Sequence, residues 1–126
     1  MINKKRLLGT FIDLVKIDSE SRDEKEVAEY IKKKLKKLKI KFYVDNSHTK
    51  TKSNHGNIIA RIISDPKLPT VVLSSHMDTV VPGRGIKPIV KKSYVASSGD
   101  TILGSDDKSG LAVSYTHLTL PTNREV

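Results

Sequence analysis

Amphipathic helical periodicity dominates the first third of the chain and then gives way to short runs of β-branched residues. Apolar side chains recur at intervals of three and four in residues 4–16, which predicts a first helix. Ser21 and Glu24 have the spacing of a capping box, which predicts a second helix running to about residue 38. Three runs typical of strands follow, at residues 41–44, 57–63 and 70–76. This order predicts an α/β fold in which two helices precede a mixed sheet.

The last of these β-branched runs, residues 70–76, leads into a pair of polar residues with chemical potential. Three consecutive apolar residues in the run favour a strand that is buried on both faces. His76 and Asp78 follow, where the strand runs out toward a Pro-Gly turn. Ligands of open α/β sheets bind beyond the carboxyl ends of strands, and residues two apart in an extended segment face the same side. The pair is therefore a candidate metal ligand with its orienting carboxylate, the alternative being a surface turn in which Asp78 caps nearby backbone groups.

A second acidic motif follows about thirty residues later, in the segment DTILGSDDKSGLA. There Asp106 and Asp107 stand at what looks like the start of a helix. Acidic residues at such a position stabilise the helix dipole, which is the alternative interpretation, above all for Asp107. Beside His76, however, the Asp106 carboxylate would complete a nitrogen–oxygen pair suited to zinc, manganese or cobalt. Because the chain has no cysteine, any transition-metal site must use histidine and carboxylate ligands.

The basic character of the chain offers a rival interpretation. The net charge is +9, and an excess of lysine attracts nucleic acid or acidic surfaces. The densest basic run, residues 31–41, also carries apolar residues along one helical face, which is typical of a solvated helix packed on a core. Aromatic residues make up 5% of the chain, too few for a platform that stacks bases. With no apolar run long enough to span a bilayer and no signal-peptide core, we expect a cytoplasmic protein.

The motif SSHMDTVVPG, followed by TILGSDDKSGLA, resembles the co-catalytic zinc exopeptidases of the peptidase T family. The segments FIDLVKIDSESRDEKEVAEYIKKKL, GNIIARI and PGRGIKPIV extend the likeness. The resemblance implies that residues 1–112 form the N-terminal portion of a metallopeptidase catalytic domain. It implies that His76 binds one metal ion, that Asp106 bridges two, and that Asp78 is a catalytic residue that holds His76. It also implies a cis peptide bond between Asp106 and Asp107.

The resemblance implies a reaction, the hydrolysis of the amide bond of short peptides, most like that of a tripeptide aminopeptidase. Two zinc ions, with manganese or cobalt as alternatives, would polarise the scissile carbonyl and lower the pKa of a bridging water. The family's glutamate base and its remaining metal ligands have no counterpart in these motifs, so we expect this 126-residue chain to be inactive by itself. A related dipeptidase, carboxypeptidase or deacylase stays an alternative, as does a basic nucleic-acid-binding module. We expect a short peptide as substrate and neither nucleic acid nor membrane as partner, and a homodimer is left open for the full-length protein.

The last fourteen residues, VSYTHLTLPTNREV, depart from the family pattern. Pro121, three threonines and the lack of helical spacing predict a poor helix in residues 113–126. One set of codons for VSYTHLTLPT resembles a transposon adapter used to prepare sequencing libraries. We therefore interpret residues 113–126 as a non-native tail, and His117 is not counted as a metal ligand.

Other polar residues carry weaker signals. His48 and His55 lie in a polar loop, where exposure to solvent is the expectation. Ser21 is predicted to cap a helix and receives no catalytic role. Arg84 and Lys87, in the segment PGRGIKP, could neutralise the carboxylate of a substrate.

Overall fold

A computed structural model describes residues 2–119, which form four helices and four short strands. The helices are α1 (Lys4–Lys16), α2 (Lys25–Lys37), α3 (His48–Thr51) and α4 (Ser105–Leu118). The strands are β1 (Phe42–Val44), β2 (Ile58–Ala60), β3 (Lys87–Val90) and β4 (Val95–Ser98). Within the described range, no helix has the length and apolar character needed to cross a membrane.

The first helix has the bounds that its periodicity predicts. Asn3 caps it, since the side-chain oxygen of Asn3 accepts a hydrogen bond of 2.9 Å from the Arg6 amide. The apolar face of α1 is buried. Leu14 packs there against Val27 of α2 and Ala112 of α4. The hydrophobic core therefore sits where α1, α2 and α4 meet.

The second helix begins without the predicted capping box. Glu24 occupies the N-cap position but makes no side-chain capping hydrogen bond. Its carboxylate instead accepts hydrogen bonds from the Arg22 amide at 2.8 Å and from the Ser53 hydroxyl, and the Ser21 hydroxyl donates to Asp78. The predicted capping box is wrong because the Ser21 side chain binds Asp78, a partner far away along the chain that the local pattern does not show.

The strands form two separate two-stranded antiparallel sheets. β1 pairs with β2, with Tyr43 opposite Ile59, and β3 pairs with β4, with Ile89 opposite Ala96. The combination of helices with small sheets confirms the predicted α/β class. The β3–β4 hairpin and the single turn of α3 were not predicted, because neither has a clear hydrophobic period in the sequence.

The predicted strand at residues 70–76 is not paired with any other segment of residues 2–119. Val71 and Val72 are 78% and 79% exposed, so the expectation of a strand buried on both faces is wrong. A strand needs neighbours that satisfy its backbone and cover its side chains, and the described chain supplies none for this run. Just beyond it, Thr79 forms an isolated parallel bridge with Glu20.

The last helix contradicts the prediction of a poor helix for residues 113–126 in the part that the structure describes. α4 continues to Leu118, and Thr116 is buried. Arg6 of α1 donates a hydrogen bond of 3.2 Å to the first carbonyl after the helix. Packing on α1 thus outweighs weak intrinsic propensity. Pro121 lies outside the described residues, and the interpretation of 113–126 as a non-native tail stays a prediction.

Candidate active site

His76 and Asp78 lie on the long connection between β2 and β3, at the rim of an open pocket of about 230 Å³. The opposite rim is formed by residues 102–106, which lead into α4. The pocket therefore brings the two sequence motifs face to face.

The His76 imidazole lies between two carboxylates. Its Nδ1 is 3.0 Å from Oδ1 of Asp78 and 3.0 Å from the carbonyl oxygen of Asp78, and its Nε2 is 2.9 Å from Oδ1 of Asp106. The His76 side chain is 51% exposed and that of Asp106 is 94% exposed, so both remain accessible from the pocket. His76 thus contacts both of the other residues predicted for the site, Asp78 and Asp106.

The two acidic residues at the start of α4, Asp106 and Asp107, have different hydrogen-bond partners. The Asp106–Asp107 peptide bond is cis, as the resemblance implies, and neither residue has helical backbone angles. Asp106 faces His76, whereas Asp107 accepts a hydrogen bond of 3.1 Å from the Gly110 amide and caps the helix. Gly104 precedes them with a φ of +78°, a left-handed conformation that favours glycine. The structure therefore supports the capping interpretation for Asp107 and keeps Asp106 free to point into the pocket.

A buried lysine anchors this end of α4. Lys108 has no exposed surface, and its Nζ donates a hydrogen bond of 2.6 Å to the carbonyl of Ile17, just past the end of α1. Burial lowers the pKa of Lys108 to about 8, although the nearby charge of Asp18 acts in the opposite direction. Sequence reasoning missed this residue, because a lysine beside two acids has the composition of a surface turn.

Asp78 has a second partner that sequence reasoning also missed. The hydroxyl of Ser21 donates to its Oδ2, so the two carboxylate oxygens serve different neighbours. The bond from Ser21 lowers the pKa of Asp78 against the opposing effect of burial, and the neighbouring His76 lowers it further. For His76, partial burial lowers the pKa, but hydrogen bonds to Asp106 and Asp78 outweigh it and hold the pKa above its ordinary value.

Arg84 is engaged by side chains of the chain itself. Its Nε donates to Glu20 at 2.9 Å, and its Nη2 donates to Asp23 at 2.8 Å. The second oxygen of Glu20 accepts from the Gly83 amide at 2.9 Å. Arg84 is therefore already paired with two carboxylates of the chain, and the suggestion that Arg84 or Lys87 neutralises a substrate carboxylate stays a prediction.

The donor atoms of the site fit part of a metal centre. His76 Nε2 and Asp106 Oδ1 are an imidazole nitrogen and a carboxylate oxygen on one pocket, the ligand types that zinc, manganese and cobalt accept. Asp78 at Nδ1 is the kind of carboxylate that orients a metal-binding histidine. Across residues 2–119, however, no group of three or more His, Cys, Asp or Glu side chains could hold a metal ion. The pair fits two positions, and a complete centre would need further ligands from outside that range.

Two solved structures share the fold that carries this pocket. The crystal structure of aminopeptidase PepT from Bacillus cereus aligns with a TM-score of 0.88 and 41% identity, over 93% of this chain and 32% of that chain. A tripeptidase from Staphylococcus aureus aligns with a TM-score of 0.88 and 43% identity, over 94% of this chain and 32% of that chain. The chain is similar to about a third of the length of these PepT-type peptidases. The resemblance found in the two motifs is thereby confirmed.

This chain is also similar to two curated proteins. It is 44% identical over 115 residues to the uncharacterized protein YqjE of Bacillus subtilis, which covers 91% of this chain and 31% of that protein. It is 25% identical over 146 aligned residues to peptidase T of Clostridium botulinum, over 86% of this chain and 36% of that protein. No family model matches the chain. The chain spans about a third of the length of the curated relatives it matches.

Proposed function

We propose that the peptidase T-like chain is part of a zinc-dependent exopeptidase that hydrolyses the amide bond of short peptides, most like a tripeptide aminopeptidase. The observation that carries the proposal is the His76 imidazole held between Asp78 and Asp106 at the pocket. The two solved structures that share this fold are an aminopeptidase and a tripeptidase, which supports a peptidase over a deacylase. The proposal includes zinc as the metal, a tripeptide as the preferred substrate and the cytoplasm as the location.

The residues of the chain would bind and orient rather than complete the reaction. Asp78 accepts the Nδ1 proton of His76, which fixes the ring with Nε2 toward Asp106. Nε2 and the exposed Asp106 carboxylate would then be the two ligands that this chain contributes, with Asp106 in the bridging position. A divalent ion held there would supply Lewis-acid chemistry toward a peptide carbonyl and a water.

No residue of the chain is assigned as the general base. We place that base in the part of the longer relatives that this chain does not span. The 126-residue chain is accordingly expected to contribute metal ligands without turnover.

Zinc titration of the purified chain by calorimetry tests the metal part of the proposal. His76→Ala and Asp106→Ala should each abolish the heat released by zinc binding at this site. Asp78→Ala should weaken zinc binding about tenfold or more without removing a ligand. His48→Ala is the matched control, because His48 is exposed on α3 and away from the pocket. Binding that is unchanged in both His76→Ala and Asp106→Ala would contradict the proposal. Salt-dependent binding of nucleic acid that zinc does not affect would instead favour the basic binding module.

A further inference from the structure

The chain next to Asp78 is fastened to the loop that precedes α2. The Thr79 amide donates to the Ser19 carbonyl at 2.8 Å, and the Ser21 amide donates to the Thr79 carbonyl at 3.2 Å. These two bonds flank Glu20 and form its parallel bridge with Thr79. Ser19 and Thr79 are 0% and 1% exposed, so the hydrogen bond between their backbone groups is shielded from water. The register between the two segments is therefore fixed at the residue that follows Asp78.

Side-chain hydrogen bonds also connect the loop before α2 with the segment that follows Thr79. Glu20 accepts from the Gly83 amide and from Arg84, and Arg84 also donates to Asp23. A Cβ atom on Gly83 would lie 2.8 Å from the Thr79 hydroxyl, so only glycine permits this approach. The loop before α2 is thus held against the His76 segment from both sides of the bridge.

This register places the hydroxyl of Ser21 on Asp78. Ser21 donates to Oδ2, while Oδ1 faces Nδ1 of His76 at 3.0 Å. A carboxylate with one oxygen held in this way cannot rotate without losing a hydrogen bond, and the other oxygen stays directed at the imidazole. The chain of contacts runs from Ser21 through Asp78 and His76 to Asp106.

We propose that Ser21 is a positioning residue of the site: its hydroxyl holds the Asp78 carboxylate so that His76 presents Nε2 to the metal side of the pocket. This inference rests on the proposed function of His76 as a metal ligand. Ser21 does not touch the space between His76 and Asp106, so it acts through Asp78 alone.

A pair of variants of equal shape isolates the hydroxyl. Ser21→Thr keeps it and Ser21→Val removes it, while both place a β-branched side chain at the same position. Ser98→Ala is the control for the loss of an exposed serine hydroxyl, because Ser98 bonds to the Lys87 carbonyl in the β3–β4 hairpin. Thermal unfolding followed by circular dichroism identifies any general loss of structure in each variant.

Two measurements at one fixed pH test whether the Ser21 hydroxyl positions Asp78 and His76. The first is the exchange rate of the His76 Nδ1 proton with water, followed by nitrogen-edited NMR without metal and assigned by its absence in His76→Ala. The second is the dissociation constant for zinc. Ser21→Val should speed the exchange and weaken zinc binding about tenfold, whereas Ser21→Thr and Ser98→Ala should match the parent chain.

Equal exchange rates and equal zinc affinities in Ser21→Val and Ser21→Thr would overturn the inference. If Ser21→Val unfolds, Ser21→Ala with the same two measurements takes its place, and parent-like values there overturn it equally. A parent chain that binds no zinc through His76 would defeat the proposed function instead, while the proton-exchange measurement would still report the contact between Ser21, Asp78 and His76.

Discussion

Replacing Lys108 with methionine tests how the structure anchors Asp106. Lys108 lies two residues after Asp106 in the chain. It is fully buried, and its Nζ donates a hydrogen bond to the carbonyl of Ile17. Its pKa falls from an ordinary 10.5 to about 8 on folding, because burial disfavours the charged amine. Between these two values the unfolded chain binds more protons than the folded chain, so stability rises with pH across this window. Each pH unit between the two pKa values corresponds to about 1.4 kcal/mol, so the total gain is about 3 kcal/mol.

Urea denaturation followed by circular dichroism, repeated from about pH 7 to about pH 11, measures this gain. Other groups titrate in the same range, so the quantity to follow is the difference between the parent chain and Lys108→Met. At pH 7 the variant loses a charged hydrogen bond worth about 2 kcal/mol but also loses the cost of a buried charge, so the net effect there is small. The parent should then gain about 3 kcal/mol on the variant as the pH rises.

Lys92→Met is the control, since Lys92 is exposed in the turn between β3 and β4. Its stability should follow the parent chain at every pH. A constant difference between the parent and Lys108→Met over the whole range would refute the reasoning, because it would mean that Lys108 is not held in a buried, charge-disfavouring environment.

Three further results are expected. Gly83→Ala should destabilise the chain by about 1–3 kcal/mol in urea denaturation, because the new Cβ would lie 2.8 Å from the Thr79 hydroxyl. Gly9→Ala should instead stabilise the chain by about 0.5–1 kcal/mol, because Gly9 lies in α1 with open space where the Cβ would be. Equal effects of the two would count against the close packing at Gly83. The purified 126-residue chain should not hydrolyse a tripeptide in a chromatographic assay with added zinc, and turnover that a chelator stops would contradict the missing base. A genomic read through this locus should not continue in the frame that encodes residues 113–126, and an uninterrupted frame would refute the adapter interpretation.

Local pattern predicted the features that depend on neighbours in sequence. The bounds of α1 follow from its apolar spacing, and the structure adds a cap by Asn3 that was not predicted. The approach of His76 and Asp106 is instead what the resemblance of two distant motifs to the peptidase T family implied, and the structure places these side chains 2.9 Å apart. Both predictions needed only short-range regularities or a motif pair of known separation.

Long-range partners explain what the sequence did not predict. Ser21 has the spacing of a helix cap, but its hydroxyl finds Asp78, which is 57 residues away. The apolar run at residues 70–76 has strand propensity, yet a strand forms only where a neighbour can pair with it. Lys108 is buried because α1 ends against the start of α4, an arrangement that no local pattern of charge reveals.

The most direct test of the central claim is the response of the His76 ring nitrogens to zinc, followed by nitrogen NMR on the full 126-residue chain. We expect a saturable shift of the Nε2 resonance, with Nδ1 still protonated and bonded to Asp78, and the loss of that shift in Asp106→Ala. A His76 ring that zinc leaves unchanged, while other histidines of the chain respond, would contradict the assignment of this pocket as part of a metallopeptidase site.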